Sequence, residues 1–208
     1  MANFKPTYIV IEGVDGSGKS TQAAALAKRL SVTGREVVLV QEPGSTKLGT
    51  LLRKVLLRQT EEAQQAPMTN FAELLMFTAA RTQLMEEIVV PALKRNAIVV
   101  SDRGLGSTLA YQHGGSGLPL EAVMQAASTA LYKHVNSLIP EDMEVLELMV
   151  VYDVTVDVAK TRMVGRRLDY WENQPSDYKE RVAAVYRKLP EILGEDDVRV
   201  LDASGTAE

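Results

Sequence analysis

The chain has 208 residues, 46% apolar and 24% charged, a mix that excludes intrinsic disorder, collagen and coiled coil and predicts one soluble globular domain over 1–208. Cysteine is absent, which excludes disulfides, thiolate nucleophiles and thiolate metal sites and suits a cytoplasmic setting. The 23 basic and 27 acidic residues leave a net charge of -4, which argues against nucleic-acid and anionic-membrane partners. No apolar run approaches the roughly 18 residues of a membrane span. Met1 to Pro6 is too short and polar for a signal peptide, because an apolar run follows at once.

Short β-branched runs alternate with stretches of helical periodicity. Strands are predicted at Tyr8–Glu12, Glu36–Gln41, Ala97–Ser101, Leu148–Asp153 and Val198–Leu201. The first four are nearly continuous apolar blocks, as in parallel strands covered on both faces. Ala23, Leu26, Ala27 and Leu30 recur at helical spacing, with Gly34 as a stop. A short helix is expected at Leu48–Leu57. A long one runs from Thr69 as N-cap to about Val89, before Pro91, and another runs from Pro119, at its first position, to about His134. Thr155 caps a helix over Val156–Met163, and Ser176 one over Asp177 to about Leu193. Two loops, Gln112–Leu118 and Gly165–Pro175, interrupt the pattern. Strands alternating with helices predict an α/β fold, a five-stranded parallel sheet between two helical layers.

The sharpest signal is Gly13-Val14-Asp15-Gly16-Ser17-Gly18-Lys19-Ser20, followed by Thr21. It matches the phosphate-loop pattern G-x-x-x-x-G-K-[ST] at every fixed position, directly after a strand and before a helix. Gly13, Gly16 and Gly18 let successive backbone N–H groups converge on phosphate oxygens, and the helix N-terminus adds its partial positive charge. Lys19 reaches the β- and γ-phosphates of ATP, and the Ser20 hydroxyl suits Mg²⁺. The motif predicts a P-loop NTPase fold and is silent about the phosphoryl acceptor.

Other features narrow the class. No Asn-Lys-x-Asp occurs, as a guanine-reading switch needs, and the D-x-x-G spelled at Asp202–Gly205 falls after the last strand, where it does not reach a γ-phosphate. Strand three ends in Asp102, suited to hold Mg²⁺ through water, and Arg103, suited to a second anion. Arg53, Arg81 and Arg103 lie on elements that such a fold can bring together. Arg162, Arg166 and Arg167 cluster at a predicted lid near 162–175. That pattern fits a small kinase whose acceptor is itself phosphorylated.

The chain also resembles the thymidylate kinases of the bacterial or phage type, from the first strand to about Asp202. The resemblance rests on Glu12 to Thr21, Glu42-Pro43-Gly44 before Thr46, and Phe77-Thr-Ala-Ala-Arg81. It extends through Asp102-Arg103 with Ser107 to Gln112, Arg162 to Glu172, and Leu201-Asp202-Ala203. It implies transfer of the γ-phosphoryl of ATP to dTMP and a homodimer. In the implied site Phe77 stacks on thymine, Arg81 bonds its carbonyl edge, Thr108 and Gln112 face the base, and Tyr111 disfavours a 2′-hydroxyl. Asp15 accepts from the 3′-hydroxyl, Arg53 and Arg103 clamp the acceptor phosphate, and Glu42 belongs to the same pocket. Some members carry Arg directly after the loop carboxylate. Gly16 stands there instead, so the resemblance implies a transition-state arginine from the lid, with Arg162, Arg166 and Arg167 as candidates.

The chain departs from the common family pattern at Gln41, where Arg is usual, at Ser45, where Gly is usual, and at Gly104, where an aromatic or His is usual. The lid reads Asp169-Tyr170-Trp171-Glu172 where Arg commonly follows the Asp. These departures keep a broader deoxynucleoside-monophosphate kinase open as a rival. A non-catalytic nucleotide sensor is the second, opposed by the intact Lys19-Ser20.

Overall fold

The computed structural model describes residues 4–166 and 168–205, and for 128–133 the backbone alone. Five parallel strands form one sheet: β1 (Thr7–Gly13), β2 (Val37–Gln41), β3 (Ile98–Asp102), β4 (Leu146–Asp153) and β5 (Val198–Asp202), in the order β2-β3-β1-β4-β5. All five predicted strands are present, shifted by two residues or fewer at each end. Register places Ile11 of β1 beside Asp102 of β3 and Val150 of β4. After β1 the chain crosses to one side of the sheet, and after β3 to the other. The crevice between the carboxyl ends of β1 and β3 is therefore the switch point where such sheets bind ligands.

Helices cover both faces. They are α1 (Lys19–Ser31), α2 (Lys47–Leu56), α3 (Glu61–Gln65), α4 (Asn70–Leu84), α5 (Val90–Lys94), α6 (Leu105–Thr108), α7 (Leu120–Met124), α8 (Ala130–Leu138), α9 (Val156–Arg162) and α10 (Ser176–Leu193). Threonine opens four of them. The hydroxyls of Thr46, Thr60, Thr69 and Thr155 each accept from the backbone N–H three residues on, satisfying a donor that the first helical turn leaves free. No helix among the described residues is long and apolar enough to cross a membrane.

Four expectations are corrected. The long helix does not stop before Pro91: a wide π-type turn at Met85–Val89 carries it into α5, whose first turn holds the proline. The wide turn just before it accommodates the proline ring and its missing N–H without ending the helix. Pro119 and Pro175 are N-caps, so Pro119 is not the first helical residue and Ser176 is not a cap. Most of the Gly-rich stretch 112–118 is helical, in a second wide turn over Leu109–Gly115. Its glycines serve close packing, since a Cβ at Gly114 would lie 2.6 Å from Val185 Cγ2 of α10.

The largest core cluster includes Leu74, Leu105, Leu109, Tyr186 and Leu189 and ties α4 and α6 to α10. Each fully buried leucine there contributes about 1.5–3 kcal/mol of transfer free energy. Leu105 and Leu109 follow closely after Arg103 in the chain, so this packing also fixes the strand end that faces the crevice.

Candidate active site

The phosphate loop adopts the conformation its glycines predict. Gly13, Gly16 and Gly18 have φ of 141°, 83° and 93°, values that side chains with a Cβ rarely adopt. Space is short as well: a Cβ on Gly13 would meet Tyr152 O at 2.6 Å, and one on Gly16 would meet Ala159 O at 2.5 Å. Lys19 folds back over the loop, donating to Val14 O at 3.3 Å and to Asp15 Oδ1 at 3.2 Å. Burial, with Arg103 adding repulsion, pushes the Lys19 ammonium below its ordinary pKa, and Asp15 opposes that shift.

Asp15 is the electrostatic centre. Its Oδ1 also receives Arg103, and its Oδ2 accepts the Tyr111 hydroxyl at 2.6 Å. Burial would raise its pKa, but the Arg103 and Lys19 cations prevail and hold the carboxyl well below the usual range. Arg103 sits in the left-handed region at φ 80°, which turns its guanidinium back across the crevice. There it donates to Gly13 O at 3.3 Å, Ser107 Oγ at 3.0 Å and Tyr186 Oη at 3.1 Å. Glu12 stabilises this turn from beneath, accepting from the N–H groups of Gly104 and Ser107 at 2.8 Å each and from the Ser107 hydroxyl at 2.6 Å. Burial pushes the Glu12 pKa up, and those donors and Arg103 oppose it.

A cavity of about 550 Å³ opens over the crevice. It is lined by Asp15, Gly16, Gly18, Lys19, Ser20 and Thr21 of the phosphate loop. Its walls also carry Phe77, Arg81, Thr108, Tyr111 and Gln112, together with Glu42, Arg53, Asp102 and Arg103. Arg162 and Arg166 also line it. Gly13 and Ser17 are not on the cavity wall, but Gly13 O receives Arg103 and Ser17 is buried. Arg53 donates to Pro43 O at 2.9 Å.

Arg81 is buried and almost fully engaged. Its Nε donates to Glu42 Oε2 at 2.7 Å, and its Nη2 to Gly104 O and Thr108 Oγ1 at 2.8 Å each. Its Nη1 is buried with no partner among the described residues. Gly104, where an aromatic or His is usual in the resembling family, supplies a backbone acceptor to Arg81. Gln112 is 1% exposed, and its Nε2 donates to Glu73 Oε1 at 3.0 Å.

Asp102 completes the crevice. Its Oδ2 receives Gln41 Nε2 at a long 3.4 Å, and its Oδ1 is buried without a partner among the described residues. A hard carboxylate oxygen with free lone pairs, in one cavity with the Ser20 hydroxyl, is the donor chemistry that suits Mg²⁺.

Beyond α9 the chain folds over the cavity. Asp169 Oδ1 accepts the N–H groups of Trp171 and Glu172 at 2.9 Å, and Glu172 Oε2 accepts Asp169 N at 2.9 Å. This reciprocal pairing presses Trp171 inward, with ring centroids 6.5 Å from Phe77 and 5.8 Å from Tyr111. Arg162 reaches the loop directly, donating to Ser17 O at 3.3 Å, and also binds Ala203 O and Gly205 O near the end of the described chain. Arg166 is more exposed, 3.6 Å from Glu172. Arg167 lies outside the described residues.

Sequence reasoning gave no role to Glu12, Glu73, Ser107 or Tyr186. Glu73 carried a usable signal, since it is a charged residue one helical turn before Phe77 on a largely apolar helix. Tyr186 carried none, because it reaches the site from α10.

Comparison with known proteins agrees with this geometry. A family model described as Thymidylate kinase matches residues 11–208. A protein named thymidylate kinase from Ectopseudomonas mendocina is 36% identical over 200 residues, covering 96% of this chain and 88% of its own. Another from Desulforudis audaxviator is 40% identical over 183 residues, covering 88% and 76%. The crystal structure of thymidylate kinase from Ehrlichia chaffeensis superposes with a TM-score of 0.68 at 26% identity, over 95% of this chain and 89% of that one.

Proposed function

The chain belongs to the thymidylate kinase family, and from that premise we propose that it transfers the γ-phosphoryl group of ATP to dTMP, giving dTDP and ADP. The observation that carries the choice of acceptor is the buried, unpartnered Nη1 of Arg81. A buried N–H without an acceptor is costly, and the 4-carbonyl of a thymine ring stacked on Phe77 satisfies it. An exocyclic amine at that position has no lone pair to offer.

The phosphate loop and Lys19 bind the triphosphate of ATP. Ser20 and Asp102 are the residues that would hold Mg²⁺, which would draw charge from the phosphate oxygens. Asp15 keeps one lone pair free beyond those used by Lys19, Arg103 and Tyr111, and accepts from the acceptor's 3′-hydroxyl. Arg53 and Arg103 hold the acceptor phosphate by the planar fork that suits such anions. The phosphate oxygen attacks in line, so the protein's contribution is position and charge neutralisation, without a covalent intermediate. Tyr111 lies against the sugar and disfavours a 2′-hydroxyl. The stretch near 162–175 acts as a lid whose closure excludes water, with Arg162, Arg166 or Arg167 neutralising charge on the moving group.

We also propose that two chains pair through α2 and α4, where Leu48, Leu51, Phe71 and Leu75 are exposed, and that the enzyme works in the cytoplasm. ADP release from ATP·Mg²⁺ with dTMP, dUMP, ribo-TMP, dGMP and dCMP, each against a no-acceptor control, tests the reaction. Turnover much faster with dTMP than with dCMP or dGMP is expected; equal rates across acceptors would overturn the base pocket, and no acceptor-dependent turnover would overturn the reaction. Light scattering on the eluted protein tests the pairing.

A further inference from the structure

Glu73 has no part in the phosphoryl transfer described above, yet it is 6% exposed and bonded to a wall of the acceptor cavity. It lies on α4 one turn before Phe77, and its Oε1 takes the Nε2 of Gln112 at 3.0 Å. An ionised carboxylate can only accept, so only the NH₂ end of Gln112 can face it. The amide is planar, and fixing its nitrogen fixes its carbonyl oxygen on the opposite branch. One N–H then remains for a base edge beside that oxygen.

We propose that Glu73 is a positioning residue for acceptor choice: by holding the Gln112 amide in one orientation, it presents an acceptor and a donor in the order that matches the N3–H and 4-carbonyl of thymine. Cytosine shows the reverse order, an N3 lone pair and a 4-amino group. To pair with it Gln112 must flip, which sets its carbonyl oxygen against the Glu73 carboxylate. The cost of that flip is the discrimination. This inference deepens the dTMP reading and rests on it.

The groups facing Glu73 are Arg58, from the turn after α2, and Tyr178 of α10, together with Gln112. Burial pushes the Glu73 carboxyl up to about 7, against the pull of the Gln112 hydrogen bond and Arg58. Once protonated, Glu73 has a hydroxyl to donate, and either end of the Gln112 amide can meet it. Discrimination therefore weakens as pH falls through that range. The two acceptors carry the same titrating phosphate, so its ionisation cancels in their ratio.

The test gives the enzyme equal mixtures of dTMP and dCMP with ATP·Mg²⁺ and measures dTDP against dCDP by anion-exchange chromatography, from about pH 6 to about pH 8.5. In wild type the ratio is expected to rise with pH. In Glu73→Gln, whose amide can offer either end, the ratio at the upper limit is expected to fall about tenfold or more and to lose its pH dependence. A folded Glu73→Gln protein with the wild-type ratio at every pH, or one slowed equally on both acceptors, would overturn the proposal. If the variant does not fold, a pH-independent wild-type ratio overturns it alone. Failure of wild type to phosphorylate dTMP would instead sink the underlying reading.

Discussion

Tyr111 and Asp15 are joined by a 2.6 Å hydrogen bond from the phenol to Oδ2, while Lys19 and Arg103 share Oδ1 of the same carboxylate. One wall of the acceptor cavity thus orients the carboxylate of the phosphate loop. Tyr111→Phe removes a donor to a charged acceptor, about 1.5–3 kcal/mol. The expected loss in kcat/KM for dTMP is about tenfold to a hundredfold. Asp15 is held below its unfolded value, so its stabilising contribution is complete above the ordinary carboxylate range and is lost only as pH falls through strongly acid values. The acid limb of the rate profile should therefore coincide in wild type and variant, which steady-state kinetics across pH will show.

Arg81 and Glu42 form an ion pair with side chains 7% and 6% exposed. Arg81→Ala leaves Glu42 buried and uncompensated, a loss of about 3–5 kcal/mol. Urea denaturation should show the midpoint fall. Glu42→Gln together with Arg81→Ala should recover part of it, because no buried charge is then left alone.

The Glu73 carboxyl is raised to about 7, above its unfolded value near 4.3. The folded state then holds an extra proton between those limits, so this group's contribution to stability falls as pH rises from about 4.3 to about 7. The full excursion is on the order of 3 kcal/mol. Glu73→Gln has no such slope. Its melting temperature relative to wild type should increase with pH across that window and level off above it.

Ser45 occupies the left-handed region at φ 63°, where glycine is usual in the family, and its hydroxyl accepts from Gln41 N at 2.8 Å. Ser45→Ala keeps the backbone cost and loses the bond, and should destabilise by about 0.5–1.5 kcal/mol. Ser45→Gly loses the bond but relieves a left-handed backbone cost of about 1–2 kcal/mol, and should stay near neutral. Thermal melts of the two variants will order them.

The strands and phosphate loop were legible because their signals are local. Unbroken apolar blocks such as Tyr8–Ile11 in β1 and Ile98–Val100 in β3 leave little choice but a strand covered on both faces. The helix over Leu109–Gly115 was not legible, since Gly114 and Gly115 read as a loop until α10 is seen packed against them. The same holds for the site. Lys19 and Arg103 stand in recognisable patterns, whereas Tyr186 and Glu12 meet across 174 positions of sequence. Glu73 gains its place only through Gln112, on a separate helix.

The close approach of Gly16 to Ala159 couples the phosphate loop to α9. Gly16 stands where some family members carry arginine, at φ 83°, and any Cβ there would press within 2.5 Å of a carbonyl on α9. A substitution at position 16 therefore reaches beyond the loop: the incoming side chain would have to displace the helix that leads to Arg162, whose guanidinium donates back to Ser17 O of the same loop.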